Sequence, residues 1–176
     1  MTSGLVESGF NASDITVTNR TASRGEELKS NYGVNVTTDN AEAVDGADYI
    51  FASVKPYAIL DLLSEINPAK DAVVVSMAAG LTLEALQAAA GDGVPVVRVM
   101  PNTPMLVRRG MCTCAAGEHV SDAQMDGVRE LLEELDAGGW QLAVATRPRM
   151  WVFSSVGALG ADYQGDGGFE GRMTIE

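Results

Sequence analysis

The spacing of apolar positions changes repeatedly along this chain, between a period of two, unbroken runs and helical recurrence. Ile15 and Val17 alternate with Thr16 and Thr18, which predicts a strand over Asp14–Thr18. Glu26, Glu27, Leu28 and Lys29 then predict a helix that ends near Gly33, followed by a weaker strand at Val34–Thr37. Asp39 and Asn40 cap a short helix through Val44. Asp48–Pro56 carries two aromatics and ends in Val54-Lys55-Pro56, the pattern of a buried strand running out to its carboxyl end. Proline has no backbone N–H, so Pro56 turns the chain towards a helix bearing Ile59, Leu60, Leu62, Leu63 and Ile66. Ala72–Ala79 and Val94–Met100 are nearly unbroken apolar runs, as in strands buried on both faces. Between them Thr82 caps a helix through Leu86 and Ala90. Cys112–Ala115 predicts one more strand, and Ser121 caps a helix over Asp122–Leu135 with Met125, Val128, Leu131, Leu132 and Leu135 on one face. At the amino end, Leu5, Val6 and Phe10 supply the stripe of a helix's closing turns. Such alternation predicts an α/β architecture, a doubly wound and mostly parallel sheet covered on both faces.

Past Gly138 the periodicity fades. Trp140–Val144 and Met150–Val156 are the segments there with strand character, and Asp162–Gly168 is rich in glycine and aspartate, a composition that predicts disorder. The expected division is therefore a domain over residues 1–138 and an atypical tail over residues 139–176.

The 176 residues suit one ordinary domain with a real core. A net charge of −12 repels phosphate backbones and anionic lipid, which argues against nucleic-acid and membrane partners. The expected compartment is a reducing cytoplasm. No apolar run is long enough to span a bilayer, and Cys112 and Cys114 stand two apart on one strand face, where a bridge is strained. With His119 the only histidine, these thiols lack partners for a metal site and are expected to be free and at least half-buried. His119 itself, Trp140, Trp151 and the Glu130, Glu133, Glu134 group are most simply surface, packing and wet-face residues, and no acid–base pair or triad stands out.

Candidate chemistry gathers at strand ends, where open parallel sheets bind ligands. After the first strand come Asn19, Arg20, Thr21 and Arg24. In a Rossmann-type sheet this loop meets a ribose, and an arginine there favours the 2′-phosphate of NADP, whereas an acid would favour NAD. Lys55 places a cation where a phosphorylated or carboxylated ligand would lie. Ala78-Ala79-Gly80 lets a ring approach the backbone, and Asn102, within Met100-Pro101-Asn102-Thr103-Pro104, can orient an amide or carboxylate. If these groups form one cradle, Arg20, Lys55 and Asn102 rim a common crevice.

Taken together, Asn19-Arg20-Thr21, Asp39-Asn40, Ala52-Ser53-Val54-Lys55-Pro56, Ser76-Met77-Ala78-Ala79-Gly80 and Arg98-Val99-Met100-Pro101-Asn102-Thr103-Pro104 resemble the dinucleotide domain of the pyrroline-5-carboxylate reductase family. The likeness runs from about Gly4 to Leu135. It implies a Rossmann-like fold and hydride transfer from NADPH, or less often NADH, to 1-pyrroline-5-carboxylate, giving proline. It also implies that Asn40, Ser53, Val54, Lys55 and Pro56 contact the cofactor's ribose and phosphates. Ala78, Ala79 and Gly80 would approach the nicotinamide, and Asn102 with Thr103 would line the substrate side. The competing readings are a non-catalytic remnant of the family and another NADP-linked reductase.

Two departures shape the expectation. The family opens with a strand and a glycine-rich turn that holds pyrophosphate, whereas Met1–Phe10 matches only the end of the helix that follows. That strand is the central one, so its neighbours are expected to lack a shared partner, and Met150–Val156 is the candidate to take its place. The family's carboxyl-terminal helical domain, with its dimer interface, has no counterpart in the tail.

Overall fold

The computed structural model describes residues 2–101, 111–135, 141–145 and 150–154. Helix α1 (Thr2–Glu7) and a 3-10 turn at Ala12–Asp14 lead into β1 (Thr16–Thr18), α2 (Ala22–Tyr32), β2 (Asn35–Thr37) and α3 (Asn40–Val44). Then follow β3 (Tyr49–Ala52), α4 (Pro56–Ile66), β4 (Val73–Ser76), α5 (Leu83–Ala90) and β5 (Val96–Pro101). The chain continues through β6 (Met111–Ala116), α6 (Asp122–Leu135), β7 (Gln141–Ala145) and β8 (Met150–Ser154).

Local chemistry sets these boundaries. Gly33 closes α2 in the left-handed region at φ 73°, where its N–H donates to Lys29 O. Asp39 Oδ1 accepts from the N–H groups of Ala41 and Glu42 at the start of α3, and Thr82 Oγ1 accepts from Ala85 N at the start of α5. Pro56 occupies the first turn of α4, where its missing N–H costs nothing. Ahead of α6, Ser121 and Gln124 form a reciprocal capping box: Gln124 N donates to Ser121 Oγ, and Ser121 N to Gln124 Oε1.

The strands form two sheets, and β1 and β3, expected to lack a shared partner, have none among the described residues. β1 and β2 pair in parallel as a two-stranded sheet, and the other six run β3-β4-β5-β6-β8-β7. Pairing is parallel from β3 to β5 and antiparallel beyond, so β6 returns beside β5 without a crossover. Met150–Val156 does not fill a central place. Its strand, β8, lies between β6 and β7 at the far side of the large sheet, because antiparallel pairing with β6 satisfies its backbone there. Gln141–Ala145 is also a strand, so part of the tail joins the domain's sheet. Among the described residues, no strand pairs with the other edge of β3 or links it to β1.

Helices hold the two sheets together. α1 packs on both α2 and α6, while α3 packs on β1, β2 and α4. The β3–β5 part of the larger sheet is covered on both faces, and alternation along β4 explains its unbroken apolar run. Val73 and Val75 face a core with Val97, Val99, Cys112, Cys114, Leu5 of α1, and Met125, Val128 and Leu132 of α6. Val74 faces the opposite core with Val96, Ile50, Ala52, Ile59, Leu63 and Leu86. Neither cysteine is in a disulfide and both are fully buried, and burial pushes the Cys114 thiol well above its ordinary range. Two glycines mark close approaches. A Cβ at Gly25 of α2 would lie 2.5 Å from Val36 Cγ1 of β2, and one at Gly127 of α6 would overlap the Tyr49 hydroxyl of β3.

Candidate functional site: a cleft at the strand ends

The carboxyl ends of β1, β3 and β4 open onto one cleft of about 780 Å³. Thr18, Asn19 and Arg20 come from the end of β1, and Asn40 from the start of α3. Ser53, Val54, Lys55 and Pro56 come from the turn between β3 and α4, and Met77, Ala78 and Ala79 from the turn after β4. β3 ends at Ala52, earlier than its apolar pattern predicts, so Ser53–Lys55 forms a turn with Lys55 as the N-cap of α4. That turn is braced on β4: Met77 N donates to Ala52 O at 3.3 Å, and Ser53 Oγ contacts Met77 Sδ at 3.4 Å. Ala78 is buried beside the cleft, whereas Lys55 and Arg20 are exposed.

The charge arrangement is polar along the cleft. Neither Arg20 nor Lys55 makes an ion pair with a described residue, so both guanidinium and ammonium remain available to an anion. The end of β1 carries Asn19 in place of an acid. Arg24 is turned to other use: it lies on α2 and pairs with Glu27 one turn away. Thr21 is the N-cap residue of α2, and Gly80 follows Ala79 at φ 76°; Thr21, Arg24 and Gly80 are not among the residues lining the cleft. Asn102 and Thr103 lie outside the described residues, so of the three groups expected to rim one crevice, Arg20 and Lys55 are placed together.

One wall was not foreseen. Tyr57, Ala58, Asp61, Leu62 and Glu65 of α4 also line the cleft. The signal was present as a stripe at 57, 61 and 65, opposite the buried Ile59, Leu63 and Ile66, but a polar stripe is also what any solvated helix face presents. Among the described residues, no cluster of histidine, cysteine and carboxylates could hold a metal ion. Nor is any helix among them long and apolar enough to cross a membrane.

Parallel strands whose tips carry free cations and small residues around one cleft define a Rossmann-like domain of the dinucleotide-binding class. A family model described as "NADP oxidoreductase coenzyme F420-dependent" matches residues 1–80. The pyrroline-5-carboxylate reductase of Corynebacterium melassecola is 47% identical over 137 residues, which is 75% of this chain and 51% of that protein. The enzyme of the same name from Pseudomonas aeruginosa is 35% identical over 139 residues, 78% of this chain and 51% of that protein. Among solved structures, a pyrroline-5-carboxylate reductase from Coxiella burnetii superposes with a TM-score of 0.72 at 30% identity, covering 76% of this chain and 51% of that one. The chain belongs to the pyrroline-5-carboxylate reductase family. It spans about half the length of the curated relatives it matches.

Proposed function

We propose that the cleft binds the phosphorylated half of NADPH and that the chain supplies the nucleotide side of a pyrroline-5-carboxylate reductase. The observation that carries this reading is the meeting of Arg20, Asn40 and Lys55 in one cleft, with no acid at the end of β1. The residues suit the group. Lys55 offers a compact cation to a phosphate, and Arg20 a planar fork able to bind the 2′-phosphate through two parallel hydrogen bonds. Asn19 and Asn40 offer amides to ribose hydroxyls. The bound cofactor would supply a hydride to the carbon of a C=N bond, giving L-proline from 1-pyrroline-5-carboxylate. The chain's own contribution is orientation: Ala78, Ala79 and Gly80 bring little bulk near the ring, and Asn102 with Thr103 would face the substrate by family likeness.

A fluorescence titration tests the binding. Arg20→Ala is expected to weaken NADPH by roughly 10- to 100-fold while changing NADH little, since only the first carries the 2′-phosphate. Equal losses for both cofactors would overturn the assignment of Arg20. A second reading, nucleotide binding without turnover, is favoured by the separation of β1–β2 from the six-stranded sheet. No strand pairing among the described residues joins the two cleft walls. We expect this chain by itself to bind NADPH and form little or no proline from pyrroline-5-carboxylate. A normal turnover rate would overturn that expectation.

A further inference from the structure

We propose that Ser76, which is not among the residues lining the cleft, is a positioning residue: its buried hydroxyl holds the turn of Met77, Ala78 and Ala79 at the depth that admits the cofactor's ring. The inference rests on the cofactor reading above and adds to it a residue that reading does not use.

Ser76 ends β4 after Val73, Val74 and Val75, and all four are buried. Among the described residues it is the one buried polar residue, at 0% exposure. By alternation along β4 it shares the face of Val74, where a hydroxyl costs free energy unless it is hydrogen-bonded. Its bond is to the turn that follows it: Ala78 N donates to Ser76 Oγ at 3.4 Å. Neither neighbour in the sheet can take over as acceptor. Ser76 pairs with Ala52 on one side and with Arg98 on the other. Ala52 carries no polar side-chain atom, and a guanidinium only donates; Arg98 Nε is itself buried without a partner among the described residues.

Two successive N–H groups therefore hold the turn down. Met77 N is spent on Ala52 O of β3, and Ala78 N on Ser76 Oγ. Met77, Ala78 and Ala79 line the cleft, and the chain then leaves through Gly80 at φ 76°. Ala78 is only 2% exposed, so without the Ser76 hydroxyl its N–H is buried and unpaired unless the turn lifts towards water. Lifting moves the backbone into the space assigned to the ring. The phosphate side is left as it was, because Arg20 and Lys55 stand at the tips of β1 and β3.

The test is an equilibrium titration of the full chain with two ligands. One is NADPH; the other is adenosine 2′,5′-bisphosphate, which keeps the base, the ribose and the 2′-phosphate but has no nicotinamide. Ser76→Ala is expected to weaken NADPH roughly tenfold and to leave the bisphosphate little changed, whereas Arg20→Ala should weaken both. A loss shared equally by the two ligands in Ser76→Ala would mean a general loosening of the fold. Unchanged NADPH affinity would mean that the hydroxyl does not set the turn. Either result overturns the proposal and leaves the cofactor reading standing. A measurement on the unsubstituted chain holds whether or not the variant folds: by amide hydrogen exchange, Ala78 N–H should be protected before any ligand is added. Exchange there at the rate of an open loop overturns the proposal. Absence of NADPH binding, or binding indifferent to Arg20→Ala and Lys55→Ala, overturns both the proposal and the cofactor reading.

Discussion

The two walls of the cleft stand on foundations of different strength. Lys55, Pro56 and Ala78 rise from β3 and β4, strands flanked by two cores whose residues are almost wholly buried. Asn19 and Arg20 rise from β1, one of two three-residue strands, and in the whole β1–α2–β2 unit only Gly25 and Val34 are buried. Rigidity therefore belongs to the wall of Lys55 and Ala78, and compliance to the wall of Asn19 and Arg20. A short pair of strands with one packed helix is stable only through what it leans on, here α1 and α3.

The largest test of this contrast is truncation on the rigid side. Leu132→Ala, fully buried between α6 and the sheet, should cost about 2–5 kcal/mol in urea unfolding, whereas Val36→Ala on the half-buried β2 should cost well under half as much. Equal costs would mean that the two regions share one core. Within the compliant side, Gly25→Ala drives a methyl group into Val36 and should cost about 1–3 kcal/mol, largely recovered in the double variant with Val36→Ala. Full additivity of the two changes would break the argument that α2 and β2 depend on that single close approach.

A pH effect separates the regions further. Burial raises the Cys114 thiol in the folded chain above its ordinary value of 9.0, with the neighbouring Cys112 adding to the shift. The unfolded chain therefore loses this proton first as pH rises. Stability from the neutral thiol is complete below pH 9 and then declines, by at most about 1.4 kcal/mol per pH unit. Urea unfolding of Cys114→Ala should show a correspondingly shallower alkaline decline. The smallest effect is at a cap: Thr82→Ala removes the acceptor for Ala85 N and should cost about 1 kcal/mol, with NADPH affinity unchanged because Thr82 is outside the cleft.

Much of the rigid half is legible in the sequence because both periodicities there are strong. Val73-Val74-Val75 can be so uniformly apolar only if both faces are covered, and Ile59, Leu63 and Ile66 mark the buried side of α4. The strand-end cluster follows from the same pattern, since Lys55 and Ala78 stand at the carboxyl ends of the predicted strands. Pairing direction is less legible. Met111–Ala116 has the same composition whether it runs with β5 or against it, and only the structure decides that it runs against. The separation of β1 from β3 is expected from the resemblance, which leaves the two without a shared partner; local pattern alone does not encode it. Tyr57 and Asp61 escaped notice because a residue facing a cleft and one facing solvent leave the same trace in a helical stripe.

The tyrosine lying across Gly127 gives the protein an optical reporter. Partial burial, then Asp48 and Glu130, raise the Tyr49 phenol above its ordinary value of 10.0, so its ultraviolet ionisation band should develop at higher pH than that of a free tyrosine. Because the ring is clasped between β3 and α6, that delay should vanish when the helix lifts from the sheet. A spectrophotometric titration would thus register detachment of this one contact without any added label.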